Sequence, residues 1–126
     1  MVQLDIITST LELTKKGDWK STPTTHKHPF RLTPLQAGAF SQKHNITKLD
    51  ADYQKGKGTE KYEQVLMRML AFGIHNGYVK YASTMKGFEH PTEDELFEQI
   101  IDSDNQQELI EKLVQILDPA TTAGNS

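Results

Sequence analysis

The chain has 126 residues, 36% apolar and 25% charged, with a net charge of −3 and no cysteine. That length fits one domain with a core of its own, and the missing cysteine excludes disulfides, thiol chemistry and cysteine-ligated zinc. No apolar run approaches the ~20 residues a membrane span needs, and the opening MVQLDIITST carries Asp5 where a secretory leader would carry Lys or Arg.

The first segment, Val2 to Leu13, fits two readings. Its β-branched Ile6, Ile7, Thr8 and Thr10 suit a strand, while Leu4, Ile7 and Leu11 also fall at helical spacing. The next stretch, KKGDWKSTPTTHKHP, holds turn residues, two prolines and little apolar content, so an exposed flexible loop is predicted at about 15–29. Trp19 is its one large apolar group; it either pins the loop to the core or serves recognition.

A helix starts at Thr33-Pro34, with a good N-cap followed by a proline suited to the first helical position. Leu35, Ala39 and Phe40 offer it an apolar stripe, and it should end near His44-Asn45. Residues 46–58 read as a flexible basic loop punctuated by Gly56 and Gly58; the spacing is not that of a phosphate-binding loop.

The run YEQVLMRMLAFGIHNGY, Tyr62 to Tyr78, is the most informative segment. Between Val65 and Ile74 its only charged residue is Arg68, so a helix here must lie at the centre of the domain. Thr59 is the predicted cap and Asn76-Gly77 the predicted stop. Gly73 costs about 1 kcal/mol relative to alanine inside a helix, which close packing against another helix would offset. Met67, Met69 and Met85 read as core filler in preference to an adaptable groove. His75 then falls at the helix C-terminus, where it would complement the dipole.

After a linker over 79–90, Thr92 and Glu95 form a capping box, with Leu96, Phe97, Ile100 and Ile101 as one stripe. Asp104 is placed to cap a second helix carrying Leu109, Ile110, Leu113, Val114 and Leu117. The pair, joined at Ser103, reads as an acidic helical hairpin. The predicted fold is therefore mainly α: one helical domain over 1–118 with a central apolar helix, at most a short N-terminal β element, and a disordered tail at 119–126.

Charge is divided along the chain. Residues 1–61 hold ten Lys/Arg against six Asp/Glu, a net +4; residues 62–126 hold four against eleven, a net −7. The split describes either two solvated faces or a docking polarity between the ends. It also argues against nucleic-acid binding through the helical half.

No catalytic constellation emerges. His26 and His28 are two imidazoles without a clear third ligand, the carboxylates follow polar helix faces, and no nucleophile–base pair is present. No catalytic, cofactor-binding or metal residue is predicted, and an enzyme is not expected. The candidate contacts for a partner are Glu93, Asp94, Glu98, Glu108 and Glu111, together with Trp19. A small helix-turn-helix-like DNA-binding regulator, using Thr33 to His44 with Arg31, Gln36, Gln42 and Lys43, is an alternative. A generic helical protein-interaction module is another.

Three stretches carry a family resemblance: Phe30-Arg31-Leu32-Thr33-Pro34-Leu35-Gln36-Ala37, then Val65 to Gly77 with LMRMLAFGIHNG, then Pro91 to Leu117. In that order they resemble the tail assembly chaperones of long-tailed, lambda-like bacteriophages, over roughly residues 30–126. The resemblance implies a non-enzymatic protein of the host cytoplasm that binds the tape-measure protein, recruits tail-tube subunits, and is absent from the mature virion. Self-association along the tape measure, without nucleic-acid or membrane partners, goes with it. It also implies a longer product made by a −1 ribosomal frameshift; Ala123-Gly124-Asn125 permits a slippery heptamer, although the Gly-Lys pair of the lambda-type site is missing.

Overall fold

The computed structural model describes residues 2–82 and 89–117. Met85, part of the linker over 79–90, the stop at Asp118-Pro119, the tail at 119–126 and the tripeptide 123–125 lie outside the described residues. In chain order the elements are strands β1 (Val2–Leu13) and β2 (Trp19–Phe30), then helices α1 (Pro34–His44), α2 (Ile46–Gln54), α3 (Thr59–Ala82), α4 (Glu93–Ile101) and α5 (Gln106–Leu117). Of the described residues 59% are helical and 22% are in strand. The fold is mixed α and β, which corrects the mainly α reading.

The correction lies in residues 15–29. They form a turn and most of a second strand, paired antiparallel with β1 from Val2–Phe30 to Leu13–Trp19. The two prolines do not break the ladder. Ile7 turns its N–H and C=O away from β2 to meet Asn105 and Asp104. By alternation Ser9–Pro23 and Gln3–Pro29 are also pairs without ladder hydrogen bonds, so neither proline removes one. Thr22, Thr24 and Thr25 favour extended backbone. The turn closes through the Thr14 N–H to the Asp18 carbonyl at 2.7 Å and the Gly17 N–H to the Thr14 carbonyl at 3.0 Å. Gly17 sits at φ 86°, where a side chain would be strained.

α1 starts as predicted. Thr33 Oγ1 accepts from the Gln36 N–H at 3.2 Å and the Gln36 side chain accepts from the Thr33 N–H at 3.0 Å. Its inward face differs from the expected stripe: Phe40 is buried, while Leu35 is 85% exposed. Asn45, at φ 53°, ends the helix, and α2 begins at once where a loop was expected. Ile46 packs on the core and Tyr53 stacks on Tyr62 at 4.6 Å, which gives this short helix its tertiary support.

α3 is the central helix, longer than predicted at both ends. Gly58, not Thr59, occupies the cap position, its carbonyl accepting the Tyr62 N–H at 3.0 Å. The helix continues through Asn76-Gly77 to Ala82, so His75 lies inside it. Leu66, Met67, Met69, Leu70, Ala71 and Ile74 are buried, both methionines as core filler. The glycines are explained by a strand, not a helix. A Cβ on Gly73 would lie 2.2 Å from Phe30 Cε2, and one on Gly77 2.8 Å from the Pro29 carbonyl carbon. The Arg31 N–H donates to the Gly73 carbonyl at 2.9 Å, locking the end of β2 across α3.

α4 is capped by Thr92, whose Oγ1 accepts the Glu95 N–H at 3.2 Å. The core lies between α3, the inner faces of α4 and α5 (Leu96, Ile100, Leu109, Leu113) and Leu4, Ile6 and Phe30 of the strands. Phe97 and Ile110 pack on that core as well, while Ile101, Val114 and Leu117 of the predicted stripes remain 39–47% exposed.

Candidate functional site

Three surfaces carry the chemistry of this fold, and the first is the outer half of the β-hairpin. Strand alternation places Leu4 and Ile6 inward with His28 and His26 opposite them, and Phe30 on the same face across from Val2. The other face holds Leu11 and Leu13, with Trp19 directly across from Leu13. These three are 60–69% exposed, and residues 9–13 and 15–25 are exposed throughout. Trp19 therefore does not pin a loop to the core. It stands near the tip of a projecting arm beside Lys15, Lys16, Asp18 and Lys20.

The second surface is the acidic helix pair. Arg68 of α3 reaches Asp94 Oδ1 at 2.8 Å and Glu93 Oε2 at 3.5 Å, and its guanidinium lies 3.9 Å over the Phe97 ring. Two of the predicted partner contacts, Glu93 and Asp94, are thus engaged in holding α4 on α3. Glu108 pairs with Lys112 one turn on, at 3.3 Å. Glu111 and Glu98 are exposed. Glu98 borders a shallow pocket of about 540 Å³ with Gln64, Phe97, Ile101 and Asp102. The structure does not bring Trp19 and the five acids together.

The third is the junction between hairpin and helices. The α4–α5 connection pairs with the outer edge of β1 as a short strand would. The Asp104 N–H donates to the Ile7 carbonyl at 2.7 Å. The Asn105 carboxamide accepts the Ile7 N–H at 3.0 Å and donates to the Asp5 carbonyl at 2.8 Å, while Ser9 Oγ donates to the Asp104 carboxylate. Asp104 is therefore not the cap of α5. That position belongs to Asn105, whose carbonyl accepts the Leu109 N–H at 3.1 Å.

Beside this junction His28 is buried between two partners. Its Nε2–H donates to Gln99 Oε1 at 2.6 Å, leaving Nδ1 to accept the Tyr78 hydroxyl at 2.6 Å. Burial lowers the His28 pKa below its ordinary value; the Gln99 hydrogen bond and Asp5 oppose the shift and His26 adds to it. Burial likewise raises that of Tyr78. His26 instead binds Thr8 Oγ1 at 2.8 Å. Among the described residues no three His, Asp or Glu side chains gather as metal ligands, and no described helix is long and apolar enough to cross a membrane.

Leu11, Leu13 and Ile101 were missed as surface features. A hairpin signal was present: Gly17-Asp18 in a short polar turn between Leu13 and Trp19. Searches against protein families, curated proteins and solved structures find no match to this chain.

Proposed function

We propose that this chain works through protein–protein contacts as a tail assembly chaperone of a long-tailed phage, in the host cytoplasm. In that role it holds the tape-measure protein and recruits tail-tube subunits. The observation that carries the reading is the projecting hairpin with Leu11, Leu13 and Trp19 exposed on one face. An apolar, ribbon-shaped arm offers contact area to an elongated helical partner without a deep pocket, and its neighbouring lysines keep it in water.

The regulator alternative gains no support from the join between α1 and α2. The two helices meet at the single residue Asn45, where a DNA-reading pair is separated by about 3–4 residues. Co-expression with the tape-measure protein of the same gene neighbourhood tests the proposal. Wild type should keep that protein in the soluble fraction and copurify with it, and Trp19→Ala should weaken both. A tape-measure protein that stays insoluble beside well-folded wild type would reject the role.

A further inference from the structure

The hairpin arm and the acidic helix pair of one molecule cannot satisfy one another. The Ser9–Asp104 and Ile7–Asn105 contacts anchor the middle of the hairpin to the α4–α5 connection. From Ser9 the ribbon runs on for five residues to Thr14, roughly 17 Å at ~3.4 Å per residue. Its tip therefore points away from the helices that hold its base. That tip carries Trp19 and Leu13 facing one another, with Lys15, Lys16 and Asp18 in the turn and Glu12 across from Lys20 on the opposite face.

The helix pair presents the complement. Phe97 and the 40% exposed Ile101 supply an apolar floor to the pocket, and Glu98 and Asp102 supply its carboxylate rim. Residues 89–117 hold nine Asp/Glu against one lysine, Lys112; Arg68 over Phe97 offsets part of that charge and the surface around the pocket stays net negative. We infer that the arm of one copy docks into this pocket on the next, Trp19 and Leu13 on Phe97 and Ile101, with Lys15 and Lys16 of the turn facing Glu98 and Asp102. A tryptophan set in an apolar pocket ringed by opposite charge is the usual anchor of such a contact. Because the two patches are different surfaces, the contact is heterologous, and each bound pair keeps a free arm and a free pocket from which a chain grows until it closes on itself. This inference does not depend on the tail-assembly role; a neighbouring copy and a tape-measure helix compete for the same Trp19 and Leu13, so self-association falls as that partner is bound.

Trp19 is the only tryptophan, so its emission reports the arm alone. Full-length wild type should sediment as species that grow with concentration, with Trp19 emission moving to the blue in step, and high salt should reduce both. Trp19→Ala breaks the arm and Ile101→Arg breaks the pocket; each should sediment as a monomer. Mixed, they should form a 1:1 pair and no longer species, since one intact arm meets one intact pocket. Glu98→Lys provides a second pocket variant at an exposed site, and thermal melts by circular dichroism verify that each variant is folded. Wild type that stays monomeric to its solubility limit overturns the inference. So does Ile101→Arg or Glu98→Lys that associates like wild type while Trp19→Ala does not, because the arm would then be meeting another surface.

Discussion

At the scale of single residues, the fold turns on places where one atom more or one proton more is not tolerated. Gly73 is the plainest. Alanine is the better helix former by about 1 kcal/mol, yet its Cβ would overlap the Phe30 ring. Overpacking of this kind costs ~1–3 kcal/mol, so Gly73→Ala should lower the urea midpoint, and Gly73→Ala with Phe30→Leu should recover part of the loss. His28 is the protonic counterpart. Its folded-state pKa lies below the unfolded value of 6.5, so the unfolded chain takes up the proton first. Stability contributed by neutral His28 is complete above 6.5 and declines as the pH falls through that value toward the lower folded pKa. Urea midpoints at pH 7.5 and 5.5 should show the decline, and His28→Gln should shrink it; an unchanged difference would place the acid sensitivity elsewhere. Leu70 is a fold control: fully buried in α3, its Leu→Ala variant should lose about 2–5 kcal/mol in a denaturant titration.

Among the elements, the two edges of the small sheet are handled differently. β1's outer edge is covered by the α4–α5 connection, where the Asn105 carboxamide stands in for a peptide group between Asp5 and Ile7. Removing it leaves a backbone donor and acceptor short of partners, at a cost of ~1–3 kcal/mol. Asn105→Ala should therefore lower stability and speed hydrogen exchange at the Ile7 amide, whereas Glu111→Ala, on an exposed face of α5, should do neither. β2's outer edge carries Pro23 and Lys27, residues that blunt strand addition. α4 is oriented by Arg68 through its contacts to Asp94, Glu93 and Phe97. Glu98 and Asp102, which Arg68 does not engage, are the acids of the pocket beside Phe97 and Ile101.

For the whole molecule, the division is between a helical body with one core and an arm that contributes little to it. Replacing Leu11–Ser21 by Asn-Gly joins Thr10 to Thr22, a hydrogen-bonded pair that suits a two-residue turn, and keeps the Ser9–Asp104 contact. The shortened protein should keep its helical circular dichroism, melt close to wild type, and lose concentration-dependent sedimentation. A collapse of the fold would mean the arm is structural. Much of the body was legible in the sequence: the Thr33-Pro34 start, the burial of α3 around Leu66 to Ile74, and the Thr92 cap are local signals of capping and periodicity. α2 was not legible, because Ile46 and Tyr53 are too few to announce a helix until the core and Tyr62 lie beside them. Of the candidate contacts, Trp19 and Glu98 could be picked from composition. Leu11, Leu13 and Ile101 could not, since an apolar residue reads the same whether it faces core or water. The sequence by itself determined where α1 and α4 begin, which helix is central, and that the two ends differ in charge. Only the tertiary structure decided that residues 19–30 are a strand, that Gly73 and Gly77 admit β2, and that Trp19 faces water, because each depends on a partner distant in the chain.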